Sequence, residues 1–259
     1  MSLLPEVRAA VRRISIEEIL PRYLKVARQR KEDGSLFTEA DLAVQEALTR
    51  ELSKILPVPL IGEEMDKARQ RTLWESDEIW CVDPIDGTSN FVNGIPYFAV
   101  SVALMRGGRS ILGVVYNPVS QEMFSALKGG GAHLGEEALP QRQASVRLQG
   151  AIASVDFKRL PRELANRLVL SPPYSSQRNF GACSLEWCYV AAGRFDAYLH
   201  GGQQLWDYAA GALILEEAGG SLCCMDHNDF WESPPWTRSA IAAQNAELFG
   251  KWRDWIRGR

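Results

Sequence analysis

Apolar residues recur at helical spacing through the first 55 positions: Val7, Ala10, Val11 and Ile14, then Ile19, Leu20, Tyr23, Leu24 and Ala27, then Val44, Leu48, Leu52 and Ile55. The first two groups predict a helix over residues 5–30, kinked or interrupted at Pro21, with Ser15 and Glu18 spaced as a capping box. A polar turn at 31–35 leads to a second helix, which Thr38 opens and Pro57 and Pro59 stop. The period then shortens to that of strands. Residues 60–64 read as a short strand running into Glu63 and Glu64, and 79–82 as a buried one. Two hairpins follow, 98–105 with 111–116 about Gly107-Gly108, and 123–127 with 132–134 about the triplet Gly129-Gly130-Gly131. That triplet lacks P-loop spacing and a following Lys-Ser/Thr, so it reads as a hairpin turn. Residues 65–76 are polar without period and read as a flexible excursion.

The pattern lapses around residues 136–150, which marks a boundary between an N-terminal α+β unit, 1–145, and a C-terminal α/β unit, 146–259. Beyond it come a strand at 151–155, helices at 161–170 and 184–192, and a strand at 195–199. A helix starting at Asp207 is closed by Gly219-Gly220, strand-like runs follow at 222–225 and 240–243, and a last helix begins near Asn245. The expected fold is a layered α/β sandwich: two long helices on a mostly antiparallel sheet, then a smaller α/β unit, with a site between them.

Chemistry concentrates in residues 82–91, Val-Asp-Pro-Ile-Asp-Gly-Thr-Ser-Asn-Phe. The apolar run ends on Asp83, and Pro84 has no N–H to continue a ladder. Gly87 permits a tight turn, while Thr88, Ser89 and Asn90 suit a helix start. Asp83 and Asp86, at a strand end before free helix N–H groups, suit a divalent cation beside an anion. Glu63 and Asp207 stand at two further junctions, and an all-oxygen set favours Mg²⁺ or Mn²⁺. The three histidines have no zinc spacing, and the chain carries no Ser-His-Asp order, nucleophile elbow or dinucleotide fingerprint. Metal-dependent phosphate chemistry and a merely acidic surface are the readings left.

Bulk properties narrow the partners. A formal charge of −3 over 259 residues gives no basic footprint for nucleic acid or an anionic membrane. No apolar run reaches bilayer length, and the first residues lack the apolar core of a signal peptide. Five cysteines without a disulfide framework point to a reducing cytoplasm.

Three stretches, Ile61-Gly62-Glu63-Glu64, residues 83–91 and Trp206-Asp207-Tyr208-Ala209-Ala210-Gly211, resemble the signatures of the inositol monophosphatase family. Those are magnesium-dependent, lithium-sensitive sugar phosphatases. The resemblance runs from about Lys31 to Gly220 and takes in Thr38, Asp41, Gly181 and residues 191–198. It implies an αβαβα arrangement, a homodimer, and two to three Mg²⁺ ions, with Mn²⁺ as a substitute and Li⁺ as inhibitor. Glu63, Asp83 and the Ile85 carbonyl would hold one ion, Asp83, Asp86 and Asp207 a second, and Glu63 would help a third. The backbone of Gly87 and Thr88 would grip the phosphate of a small phosphorylated metabolite. Thr88, hydrogen-bonded to Asp41, would orient the attacking water, with Glu63 as an alternative base. Asp41 alone reads as a helix-capping acid, and the resemblance moves it into the site.

The alcohol pocket departs from the pattern. Counting back from Trp206-Asp207, members active on inositol phosphates typically carry Glu where this chain has His200; Gly181 and Asp207 would line the same pocket. His200 is either a strand-end histidine without substrate contact or the mark of a pocket altered away from myo-inositol, taking a more anionic alcohol or another sugar. Other branches supply alternatives: 3′(2′),5′-bisphosphate nucleotidase, fructose-1,6-bisphosphatase or histidinol-phosphate phosphatase. A regulatory or interaction protein that keeps the fold is the reading from a different class.

Overall fold

The computed structural model describes residues 3–25, 29–30, 36–232 and 235–258. The polar turn expected at 31–35 lies outside them. Helix α1 spans Leu4–Ile14 and continues as a π-helical turn, Ser15–Ile19, and then a looser turn, so the first helix is shorter than its spacing predicts. Ser15 is no cap: its hydroxyl bonds back to Val11 O at 2.8 Å, inside the helix. Strands β1 (Gln29–Arg30) and β2 (Leu36–Phe37) pair antiparallel. Helix α2, Glu39–Ile55, opens with a capping box between Thr38 and Asp41.

Seven strands form the first sheet in chain order: β3 (Leu60–Gly62), β4 (Glu78–Asp86), β5 (Ala99–Arg106), β6 (Arg109–Asn117), β7 (Glu122–Leu127), β8 (Gly131–Leu134) and β9 (Glu137–Ala138). Only β3 and β4 are parallel; the other neighbours are antiparallel. The expected excursion at 65–76 contains a helix, α3 (Lys67–Trp74). Asp66 caps it by accepting from Ala68 N and Arg69 N, and Gln70, its one buried residue, donates to Gly62 O at 2.8 Å. Helix α4, Thr88–Asn93, links β4 to β5.

The second sheet has the order β11-β10-β12-β14-β13, from β10 (Ile152–Asp156), β11 (Ser176–Arg178), β12 (Ala197–Gln204), β13 (Ser221–Cys223) and β14 (Thr237–Ala243). Helices α5 (Arg162–Leu170), α6 (Cys183–Ala191), α7 (Leu205–Glu217) and α8 (Ala246–Ile256) complete the chain.

Period-two alternation sets the layers. On β4, Trp80 and Val82 face Val7, Val44 and Leu48 of α1 and α2, while Ile79 and Cys81 join Trp187 and Leu213 of α6 and α7. On β12, Tyr198 faces the α6–α7 layer while Ala197 and Leu199 meet Leu164, Leu168 and Trp252 of α5 and α8. The order is therefore helices, sheet, helices, sheet, helices. Gly211 lets the middle helices touch, since a Cβ there would lie 2.5 Å from Trp187 Cβ. All five cysteines are unbridged, and no described helix is long and apolar enough to cross a membrane.

Candidate active site

Strand β4 does not stop at Asp83. It runs on to Asp86 through an irregularity: Asp83 pairs with Ser101 and Asp86 with Ala99, so one extra residue is accommodated at Pro84-Ile85. The missing N–H of Pro84 makes the bulge inexpensive there, and both carboxylates leave it buried. Ile85 N donates to Asp83 Oδ1 at 3.1 Å, and Ile85 O accepts from Thr88 Oγ1 at 3.0 Å. Gly87, at φ 87°, caps α4 in the left-handed region, so the cap is Gly87 rather than a side chain from 88–90.

The α6–α7 layer completes the acid cluster. Asp86 accepts from Cys183 N at 3.1 Å, from Ser184 N at 2.7 Å and from the Ser184 hydroxyl, all at the start of α6. Asp207, in the first turn of α7, accepts from Gln204 N at 2.8 Å. Ser101 Oγ donates to Trp206 O at 3.3 Å, which holds that turn against β5. Asp83, Asp86 and Asp207 thereby bring ligand atoms within 4.8 Å of one another, and Glu63 opens onto the same cleft of about 410 Å³.

Burial, followed by the charges of Glu63, Asp86, Asp207 and Asp41, holds the Asp83 carboxyl well above the usual range. Burial also raises Asp86 to about 6, against the hydrogen bonds from Ser184 and Cys183, and raises Asp207 strongly. An all-oxygen set that crowds like charge fits a hard divalent cation, which would relieve the repulsion without protonation.

Asp41 is buried beside this cluster. Its Oδ2 accepts from Thr38 N and Oγ1 at 2.8 and 2.7 Å, and its Oδ1 lies 3.5 Å from Thr88 Oγ1. Gly181 lines the cleft, and Asn90 ties its loop to α4 by donating to Phe180 O and Tyr97 O. His200 lines the opposite wall with Asp156, Lys158, Arg159 and Asn179. Residue-by-residue reading passed over those four and Glu186, a buried acid that accepts from Phe180 N at 2.8 Å. Asp156 ends a strand, which was the available signal, but its partner lies 44 positions away.

The elements and the carboxylate-lined cleft place this protein among layered α/β proteins with an all-oxygen site between two sheets. The chain belongs to the inositol monophosphatase family, whose model matches residues 4–254. It is 38% identical over 199 residues to the Nus factor SuhB of Pasteurella multocida, covering 74% of this chain and 73% of that one. It is 37% identical over 207 residues to the inositol-1-monophosphatase of Caulobacter vibrioides, covering 77% and 80%. The crystal structure of extragenic suppressor protein suhB from Bartonella henselae superposes with a TM-score of 0.85 over 99% of both chains, at 29% identity.

Proposed function

We propose that this protein is a Mg²⁺-dependent phosphomonoesterase acting on a small sugar or inositol phosphate. The observation that carries the reading is the convergence of Asp83, Asp86 and Asp207 within 4.8 Å, in a chain of this family. Asp83, Asp86, Asp207, Glu63 and the Ile85 carbonyl would hold the ions. Bound Mg²⁺ supplies positive charge for the phosphoryl oxygens and acidifies the attacking water.

The chain's own groups do the rest. The backbone of Gly87 and Thr88 receives the phosphate. Thr88 Oγ1 has one proton and two acceptors, Ile85 O at 3.0 Å and Asp41 Oδ1 at 3.5 Å. Rotation toward Asp41 frees the Ile85 carbonyl for a cation and leaves the hydroxyl oxygen to accept from the water. Asp41 is oriented for this because Thr38 occupies its other oxygen. Glu63, less buried, is the alternative base.

Phosphate release from a panel of sugar phosphates, with and without Mg²⁺ and Li⁺, tests the proposal. Mg²⁺-dependent release that Li⁺ suppresses is expected. The relatives named Nus factor SuhB favour a second reading, an interaction protein on the same fold. Intact Mg²⁺ binding with no turnover of any ester would select it.

A further inference from the structure

On the phosphatase reading, the leaving alcohol rests against the wall built from β10, β12 and the 3₁₀ turn Phe157–Arg159. The parallel register places Asp156 directly beside His200. His200 is 1% exposed, and both its ring nitrogens are committed. Nδ1 accepts from Gly202 N at 3.1 Å, so Nε2 carries the proton and gives it to Asp156 Oδ2 at 3.0 Å. Nothing on the ring remains to accept a substrate hydroxyl.

Asp156 is largely engaged as well. Its Oδ1 accepts from Lys158 N at 2.9 Å, and its Oδ2 also takes Arg159 Nη1 at 2.7 Å. Gly201 seats the turn: a Cβ there would lie 1.8 Å from Arg159 O. What the wall offers the cleft is therefore mainly donors. Arg159 uses one of its five N–H groups on Asp156, and Lys158 has no ion-pair partner among the described residues. Asn179 gives its carbonyl to Gly181 N at 3.1 Å, which leaves its amide N–H groups. A neutral polyol needs acceptors for its hydroxyls, and here the free donors outnumber the acceptor sites left on Asp156 and Asn179.

We propose that Arg159 and Lys158 form a specificity subsite for a second anionic group, a carboxylate or a second phosphate, on the alcohol half of the substrate. His200 is a positioning residue in this scheme: it holds Asp156, which holds Arg159.

Paired esters test this on the full-length protein with Mg²⁺. Glycerol 3-phosphate against 3-phosphoglycerate isolates a carboxylate; fructose 1-phosphate against fructose 1,6-bisphosphate isolates a phosphate. The anionic member of at least one pair is expected to show a kcat/KM roughly ten- to hundredfold higher, as for hydrogen bonds to a charged group. The pair that responds identifies the anion. Arg159→Gln and Lys158→Gln should each erode the ratio through KM of the anionic member, and added salt should do the same. His200→Ala should also lower the ratio through KM, whereas His200→Gln, which keeps an N–H for Asp156, should restore it; a folding defect alone would lower turnover of both esters and leave their ratio unchanged. Turnover of both neutral esters with ratios near one would overturn the subsite and leave the phosphatase reading standing. No release from any of the four esters by folded protein would overturn the phosphatase reading itself, and the subsite with it.

Discussion

Both walls of the cleft carry buried carboxylates, and they differ in what surrounds them. On the β4–α7 side, Asp83, Asp86 and Asp207 press on one another and are held above their ordinary range by burial and like charge. On the β10–β12 side, Asp156 lines the same cleft. Although burial works the other way, hydrogen bonds from His200 and Arg159, with the Arg159 charge, hold it below its ordinary range. One wall sets carboxylates against one another, and the other pairs its carboxylate with Arg159. A carboxylate's role here is decided by its neighbours, and the contrast separates a wall suited to catalysis from one suited to selection.

The largest expected effect breaks the first wall. Asp207→Asn preserves an oxygen for Gln204 N and so the start of α7, yet removes a charge from the cluster. Mg²⁺-dependent phosphate release should fall on the order of a thousandfold, with circular dichroism and unfolding temperature little changed. Near-normal turnover would sink the assigned ligand set.

The next effect is on stability. Glu186, 2% exposed behind Asp86, is pushed by burial from 4.5 up to about 7. Between those values the folded chain keeps a proton that the unfolded chain has released. Glu186 therefore stabilises fully below about pH 4.5, and that contribution, about 3 kcal/mol, is lost as pH rises through 7. Glu186→Gln should flatten this fall in denaturant titrations across the window; an unchanged slope would place the titration elsewhere.

A smaller loss is expected at the proton relay. Thr88→Ala should lower kcat roughly a hundredfold and Thr88→Ser should recover most of it. Turnover within threefold of the parent would remove Thr88 and Asp41 from the mechanism.

How far each wall could be read from the chain follows from how it is built. Asp83 and Asp86 sit in one contiguous stretch whose apolar run, proline and glycine each have a local meaning, and Asp207 opens an unmistakable helix. The layer order came from the family resemblance alone, because the apolar runs of β4 and β12 show which two cores they serve only once folded. The bulge that carries the strand on to Asp86 was not, since only pairing with β5 reveals it. Helix α3 escaped because it buries Gln70 alone and so shows no apolar stripe. Of the selecting wall only His200 stood out along the chain; Asp156, Lys158 and Arg159 join it once parallel pairing sets Asp156 beside His200.

The smallest effect sharpens the contrast by its sign. Burial holds His200 below 6.5 despite Asp156, so it stays neutral when folded while the unfolded chain takes up a proton below about pH 6.5. Its contribution is present above that value and lost as pH falls through it. Asp156, also depressed, loses its contribution at still lower pH. The selecting wall thus weakens on acidification, whereas Glu186 on the other side weakens as pH rises. A single group cannot give a slope steeper than about 1.4 kcal/mol per pH unit. His200→Gln should remove the acid-side slope just below pH 6.5 and leave the Glu186 slope untouched. In the double variant with Glu186→Gln, both slopes should vanish independently, because no hydrogen bond joins the two groups directly. If either substitution changed the slope assigned to the other, the two walls would be one coupled network, and the division between them would not hold.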